Sequence, residues 1–152
     1  MNKEYYMQEA LKEAKKACCK MEVPVGAVVV LDGKIIGRGH NRKEKRKCAL
    51  DHAEIIAIKK ASKRIKNWRL NNCELYVTLE PCPMCTGAII SSRIKKVYIG
   101  ANDFRMGACG SKIDLLSIKL DTKIEKEEGI LKEQCEEILM QFFKKLREKN
   151  KA

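Results

Sequence analysis

Apolar residues recur at helical spacing at the start of the chain and change to strand spacing after it. Residues 3–21 form an amphipathic pattern with lysines on the polar side, which predicts a helix with one buried face. Two apolar runs, residues 25–31 and 34–39, then flank Asp32-Gly33, a dipeptide that favours a tight hairpin turn. This part of the chain therefore predicts a helix that covers a pair of antiparallel strands.

The rest of the chain alternates between the two periods. In order, the pattern predicts a polar, basic loop (41–47), a helix capped by Asp51 and running to about residue 66, a strand (75–79), a helix that begins at Pro83 and runs to about residue 92, a strand (96–101), a weaker strand (123–127) and a last helix (130–148). A strand-helix-strand unit usually makes its strands parallel, with the helix on the sheet face. We therefore expect an α/β fold, a three-layer α/β/α sandwich around a mixed sheet of about five strands. The length predicts one domain over residues 1–152.

The charge of the chain indicates the kind of partner it meets. The sequence has 32 Lys and Arg against 20 Asp and Glu, a formal net charge of +12. Such a surface attracts polyanions, and nucleic acid is the commonest of these. The alternative is that the many lysines are only solvated surface residues and bind no partner.

Cysteine usage and the apolar runs indicate the compartment. Two of the 8 cysteines belong to a Cys-x-x-Cys motif, and no paired spacing joins the others, which are Cys18, Cys19, Cys48, Cys73, Cys109 and Cys135. The chain starts without an apolar signal region, and its longest apolar run, residues 23–31, is too short to cross a bilayer. We therefore expect a cytoplasmic protein with no membrane role.

Two short motifs together carry the chemistry of a metal site. His52-Ala53-Glu54 precedes Pro81-Cys82-Pro83-Met84-Cys85, and each motif stands at the predicted start of a helix. Two thiolates and one imidazole favour zinc, and three protein ligands leave the fourth position of a tetrahedral ion free for water. We therefore predict one zinc ion per chain, bound by His52, Cys82 and Cys85, with Glu54 as the proton shuttle.

Each member of this set also has a simpler interpretation. Cys82 and Cys85 alone could form a redox dithiol. Glu54 stands three residues after Asp51, so the two could form only a capping box. A lone His52 is more often a core or surface histidine than a ligand. The joint pattern favours the metal site over these separate interpretations.

The motif pair resembles the signature of the zinc-dependent cytidine and nucleobase deaminase superfamily, His-x-Glu with Pro-Cys-x-x-Cys. More narrowly, the chain resembles the bacterial tRNA-specific adenosine deaminases over nearly its whole length. The segments that carry the resemblance are residues 22–27 (EVPVGA), 39–42 (GHNR), 52–55 (HAEI), 67–70 (NWRL), 75–90 (LYVTLEPCPMCTGAII), 92–94 (SRI) and 100–115 (GANDFRMGACGSKIDL). The stretch 100–114 points to the tRNA enzymes within the superfamily.

This resemblance implies a cytidine deaminase-like fold and a defined reaction. A hydroxide on zinc would attack carbon 6 of adenine while Glu54 moves protons, which converts adenosine to inosine at the wobble position (34) of tRNA. The implied partner is the anticodon stem-loop of tRNA, and the implied assembly is a homodimer. Two alternatives remain: a free nucleobase deaminase of the same fold, with guanine as the leading substrate, and a zinc-stabilised RNA-binding module without catalysis.

The resemblance also assigns roles around the base. It places Asn41 and Ala53 in the base pocket, where the Asn41 amide would bind the purine, and Asp103 beside the ribose or backbone of the target nucleotide. From the residues alone, Asn41 could equally be a turn asparagine after a strand, and Asp103 a turn or cap residue.

The remaining RNA contacts are assigned from charge and helix geometry. Arg105 could meet phosphates, as could Lys144, Lys145 and Arg147, or these could be solvated charges. Phe142 continues the apolar stripe of the last helix and is predicted to lie in the core. Its neighbour Phe143 is therefore the better candidate to stack on a loop base.

Overall fold

The computed structural model describes residues 2–151, which form a mixed sheet covered by helices on both faces. The elements in chain order are α1 (Lys3–Cys19), β1 (Gly26–Leu31), β2 (Lys34–His40), α2 (Lys43–Arg46), α3 (Ala53–Ile65), β3 (Glu74–Leu79), α4 (Pro83–Ser91), β4 (Lys96–Ala101), a 3₁₀ helix (Leu115–Ser117), β5 (Glu125–Glu128) and α5 (Lys132–Lys151). The strand order is β2-β1-β3-β4-β5. Strand β1 is antiparallel to β2 and β3, whereas β3, β4 and β5 are parallel.

Alternate residues of the central strands face opposite helical layers. In β1, Ala27 and Val29 join the apolar core under α3 and α4, while Val28 and Val30 join the core under α1 and α5. Tyr76 of β3 faces the second layer, where its ring stacks on that of Tyr98 at 4.3 Å between centroids. This alternation, a direct result of the strand period, confirms the predicted three-layer sandwich.

Most predicted elements lie within two residues of the observed ones. The hairpin turn has positive φ at both Asp32 (50°) and Gly33 (78°), as a type I′ turn requires. Pro83 is the first residue of α4, and β4 spans the predicted residues. The first helix ends earlier than predicted, because Met21 has a left-handed φ of 61° and its side chain is 46% exposed.

Two local predictions are wrong. The predicted loop 41–47 contains the short helix α2, whose Glu44 and Lys45 N–H groups donate to the carboxylate of Glu22 at 3.1 and 2.8 Å. Asp51 does not cap α3, because the N-cap residue is His52, which makes no side-chain capping bond. The capping box interpretation of Glu54 is therefore also wrong. In both places, a side chain distant in sequence accepts hydrogen bonds from N–H groups at the start of the helix.

Strand β2 and helix α3 pack unusually closely because β2 carries glycine where the two meet. A Cβ on Gly37 would overlap the carbonyl oxygen of Ala57 and would lie 2.9 Å from the nitrogen of Ala61. Helix α3 begins within the His52-Ala53-Glu54 motif, so this close packing fixes the distance between the motif and the sheet.

We expect Gly37→Ala to lower the free energy of unfolding by about 1–3 kcal/mol, because α3 must move away from β2. Urea denaturation measures this. The matched control is Gly87→Ala in α4, where an added Cβ meets no atom within 4 Å. Equal stability of the two variants would contradict the close packing of α3 on β2.

Neither disulfides nor membrane-spanning helices are found among residues 2–151. All eight cysteines are free thiols in the described chain. Among residues 2–151, no helix combines the length and the apolar character that a membrane span requires.

Candidate active site

The two motifs meet at one edge of the sheet, where two helices begin side by side. His52 is the N-cap residue of α3, and Cys82 is the N-cap residue of α4. Parallel β3 and β4 both end at this edge, and Cys82 follows β3 directly through a short connection that includes Pro81. Ligand sites of open α/β sheets lie at such strand ends.

The structure brings His52, Cys82 and Cys85 together with their donor atoms within 4.8 Å of one another. The His52 Nδ1 atom lies 3.7 Å from the Cys82 Sγ atom and 3.4 Å from the Cys85 Sγ atom. With Zn–S and Zn–N bonds of ordinary length, neighbouring donors of a tetrahedral site stand about 3.6 Å apart. The spacing of the three donors therefore fits a tetrahedral zinc ion.

The two thiols affect each other's protonation through their contact. A hydrogen bond from Cys85 lowers the pKa of Cys82 to about 4, with a further contribution from His52. The same pairing, together with burial, raises the pKa of Cys85. The protein alone therefore stabilises one thiolate and keeps the second thiol protonated, and a divalent cation would supply the charge that stabilises both.

Glu54 stands beside this set as a carboxylate that the three donors leave free. Its side chain is 3% exposed and lines the same cavity as His52 and Cys82. Burial raises the pKa of Glu54 to about 7. A carboxyl group with such a pKa accepts and releases protons near neutrality, as a proton shuttle must.

Asn41 connects the end of β2 to the start of α3. Its Oδ1 atom accepts a hydrogen bond from the Ala53 N–H at 2.9 Å, and the residue lines the cavity. Ala53 itself is fully buried, and it is not among the described residues that line the cavity. Asn41 thus has a structural contact through its oxygen, while its amide nitrogen remains available to a ligand.

The cavity has a volume of about 640 Å³ and is the place where most of the predicted site residues meet. Asp103, Arg105 and Phe143 line it together with His52 and Glu54. Sequence reasoning missed several further lining residues, namely Val23, Val25, Lys43, Ala49, Leu79, Glu80, Asn102, Phe104, Met106 and Leu139. Phe142 is 4% exposed, as predicted for a core residue, whereas its neighbour Phe143 is 40% exposed.

Asp103 also has a structural contact. Its Oδ1 atom accepts the N–H groups of Arg105 at 3.0 Å and Met106 at 3.1 Å, which makes it the first residue of a tight turn. One carboxylate oxygen of Asp103 therefore stabilises a turn, as the simpler interpretation of this residue predicts. Lys144 and Arg147 lie outside the main cavity, along a separate groove that shares Phe143 with it.

Glu80 is the most buried acid that sequence reasoning missed at the site. It is 2% exposed, and its carboxylate accepts N–H groups of Asp103, Cys109 and Ser111. Burial raises the pKa of Glu80. The hydrogen bonds that its carboxylate accepts, including one from the Ser111 hydroxyl, have the larger combined effect and lower the pKa below its usual value. A charged residue directly before Pro81-Cys82 at the end of a buried strand was the available signal.

Comparisons with known proteins agree with this geometry. The family described as MafB19-like deaminase matches residues 1–147. The tRNA-specific adenosine deaminase of Bacillus subtilis (strain 168) is 48% identical over 150 residues, which cover 98% of this chain and 93% of that protein.

Solved structures extend the comparison to the fold. A structure from studies of A-to-I editing by tRNA:A34 deaminases at the wobble position of transfer RNA aligns with a TM-score of 0.86 at 40% identity, over 89% of this chain and 99% of that one. The guanine deaminase of Bacillus subtilis aligns with a TM-score of 0.65 at 32% identity, over 80% of this chain and 88% of that one. The expected cytidine deaminase-like fold is confirmed. The match of sequence, fold and site geometry over nearly the whole chain shows that it belongs to the MafB19-like deaminases and to the tRNA-specific adenosine deaminases.

Proposed function

We propose that this protein is a zinc-dependent enzyme that deaminates adenosine to inosine at the wobble position (34) of tRNA. The observation that carries the proposal is the three-donor set of His52, Cys82 and Cys85, with buried Glu54 beside it in one cavity. The matched Bacillus subtilis protein, by its name, acts on adenosine in tRNA, and the aligned A34 deaminase edits the wobble position.

The residues of the site have different roles in the reaction. When bound, zinc supplies an acidified water as the nucleophile near neutral pH. The Glu54 carboxylate would take one proton from the attacking water and deliver it to ring nitrogen 1 of adenine while the water oxygen bonds to carbon 6. The same carboxylate would then move the second proton of that oxygen to the amine, so that the bond between carbon 6 and the amine nitrogen breaks, ammonia leaves and inosine keeps the proton on ring nitrogen 1. Asn41 is available through its amide nitrogen to orient the purine.

The rim of the cavity suits an RNA loop better than a free base. The exposed side chains of Arg105 and Phe104 lie at the rim, and the formal net charge of the chain is +12. A phosphate backbone is attracted to such a surface, and a splayed loop base can stack on an exposed aromatic ring. Asp103, with one oxygen left outside its turn, is suited to a ribose hydroxyl as donor.

The two rival functions make different demands on the site. A guanine deaminase shares the fold, but it needs no basic surface. A non-catalytic zinc module needs no buried carboxylate beside the three donors, and Glu54 would be an uncompensated cost in its core. The adenosine and tRNA assignment accounts for both features.

Substrate competition tests the proposal directly. We expect the zinc-loaded protein to form inosine in a synthetic anticodon stem-loop with adenosine at the wobble position, and to release no ammonia from free adenine, guanine or cytosine. The KM for the stem-loop should rise with salt, because RNA binding displaces counterions. Ammonia release from free guanine with no conversion of the stem-loop would favour the nucleobase rival.

The two adjacent phenylalanines of α5 should respond differently to replacement. We expect Phe143→Ala to raise the KM for the stem-loop about tenfold, because loss of a base-stacking ring costs about 1–3 kcal/mol. Phe142→Ala should instead lower the free energy of unfolding by about 3–5 kcal/mol. Thermal melts and steady-state kinetics on both variants measure this. A Phe143→Ala enzyme with unchanged KM would remove that ring from the RNA site.

We also propose that the chain acts as one deaminase domain, pairs with a second copy and works in the cytoplasm. Some apolar side chains that do not line the cavity are exposed in the single chain, among them Leu50 (56%) and Ile113 (46%). A partner subunit would cover side chains of this kind. The thiol ligands need a reducing compartment, which is also where tRNA is found. Analytical ultracentrifugation should give the mass of two chains, and a monomer would contradict the dimer.

A further inference from the structure

We propose that Glu80 is a positioning residue for the RNA substrate. Its carboxylate fixes the loop formed by residues 102–111, hereafter the Glu80 loop, and so holds Asp103 and Arg105 at the rim of the cavity. This inference rests on the proposed function, because it assigns the loop to RNA binding. It concerns affinity for the RNA and leaves the bond-breaking step to the residues described above.

Both ends of the Glu80 loop bind the same carboxylate. The Oε1 atom of Glu80 accepts the Asp103 N–H at 3.1 Å, the Asn102 side-chain amide at 3.4 Å and the Ser111 hydroxyl. The Oε2 atom accepts the N–H groups of Cys109 at 3.0 Å and Ser111 at 3.1 Å. A segment with little regular structure of its own is thereby closed around one buried charge.

The middle of the loop also packs on this charge. A Cβ on Gly107 would lie 2.5 Å from the Glu80 Oε2 atom and would overlap the Asp103 carbonyl oxygen. The Gly107 N–H donates to that carbonyl oxygen at 2.8 Å. Only a residue without a side chain allows the turn to approach the carboxylate so closely.

Glu80 is itself fixed to the sheet that carries the metal donors. Its N–H donates to the Ala101 carbonyl oxygen at 2.8 Å, and the next residue, Pro81, accepts the Ala108 N–H at 2.9 Å. Cys82 follows directly. The Glu80 loop and Cys82 are therefore both attached to the end of β3, which fixes the distance between them.

Glu80 is among the residues that line the cavity, but its carboxylate is used by the loop. Both of its oxygens are occupied by donors from the loop. The Asp103 backbone that Glu80 holds in turn sets the Asp103 side chain, which accepts the N–H groups of Arg105 and Met106. Glu80 thus acts on a substrate only through the residues that the loop presents.

The first test is Glu80→Gln, which keeps the size of the side chain but places an amide NH₂ against N–H donors. We expect the bound metal to remain and kcat to change little, while the KM for the anticodon stem-loop rises about tenfold to a hundredfold. Amide hydrogen exchange at Asp103, Cys109 and Ser111 should become faster.

Matched variants separate positioning from general stability. Glu9→Gln removes a second buried carboxylate, one that binds Lys12 and Arg38 on α1 and β2, and it should lower stability without changing KM. Gly107→Ala leaves the Glu80 carboxylate intact but displaces the loop from it, so it should raise KM as Glu80→Gln does. Gly87→Ala is its control, since nothing lies within 4 Å of an added Cβ there.

The outcomes are decisive in both directions. A KM rise in Glu80→Gln and Gly107→Ala, absent from both controls, supports the positioning role. An unchanged KM despite faster loop exchange overturns it, as does an equal KM rise in Glu9→Gln. If Glu80→Gln loses its metal, Gly107→Ala alone decides by the same criterion. Failure of the unmodified enzyme to convert the stem-loop would instead refute the proposed function.

Discussion

Glu54→Gln should bind metal and RNA as the unmodified enzyme does and yet form inosine about 10³-fold more slowly. The amide has the shape of the carboxyl group but cannot take a proton from water at neutral pH. Glu54 is 3% exposed and stands at the second residue of α3, so the substitution changes little on the surface. Single-turnover inosine formation in the stem-loop measures the chemical step.

The control for this variant is its metal content and its RNA affinity. Both should match the unmodified protein, because Glu54 is outside the three-donor set. Activity within about threefold of the unmodified enzyme would remove Glu54 from proton transfer, since such a group contributes far more than that. Loss of metal together with activity would make Glu54 a support for the metal site.

Cys85→Ser should lose the metal and all deaminase activity. Cys85 is fully buried, with its Sγ atom 3.4 Å from the His52 Nδ1 atom, and an alcohol is a much poorer zinc ligand than a thiolate. Because bound metal stabilises only the folded state, the melting temperature should fall as well. Elemental analysis and thermal melts, with and without a chelator, measure both effects.

Cys73→Ser is the matched control, since it also places a hydroxyl group where a buried thiol was. Burial raises the pKa of Cys73 to about 11, so this thiol is held neutral, in contrast to Cys82. The Cys73 variant should lose some stability and keep its metal. A chelator should lower the melting temperature of the control and leave that of Cys85→Ser unchanged. Full metal occupancy in Cys85→Ser would contradict the three-donor site.

Local patterns in the sequence were sufficient to predict most of the elements around the site. Pro83 marked the first residue of α4, and Asp32-Gly33 marked the hairpin, because each residue type fixes a backbone angle. Strand β4 matches its predicted bounds, and nearly all of its residues are buried. Strand β5 was predicted only weakly, since all four of its residues are charged and only backbone pairing with β4 makes it a strand.

What the sequence could not predict are the contacts between buried polar side chains and distant backbone. Glu22 satisfies the start of α2, and Asn41 satisfies the Ala53 N–H of α3, over separations of 22 or 23 and 12 residues. The Glu80 carboxylate accepts hydrogen bonds from the N–H groups of Asp103 and Ser111, which lie more than twenty residues further along the chain. Each of these bonds exists only once the fold is made, so no local pattern reveals it.

The candidate site divides in the same way. The metal motif was recognisable because His52, Cys82 and Cys85 are residue types with specific chemistry at fixed positions in two short motifs. The walls of the cavity include ordinary residues, such as Val25 and Leu139, which carry no chemical signature. Their position at the site follows from the packing of β1 and α5.

Site-resolved inosine formation in full-length tRNA tests the assignment of this chain to wobble-position deamination. A transcript with adenosine at position 34 and adenosines elsewhere in the anticodon loop would be incubated with zinc-loaded enzyme and sequenced. We expect conversion at position 34 alone, and conversion about 10³-fold slower with Glu54→Gln. Deamination of free guanine with intact adenosine at position 34 would contradict the assignment.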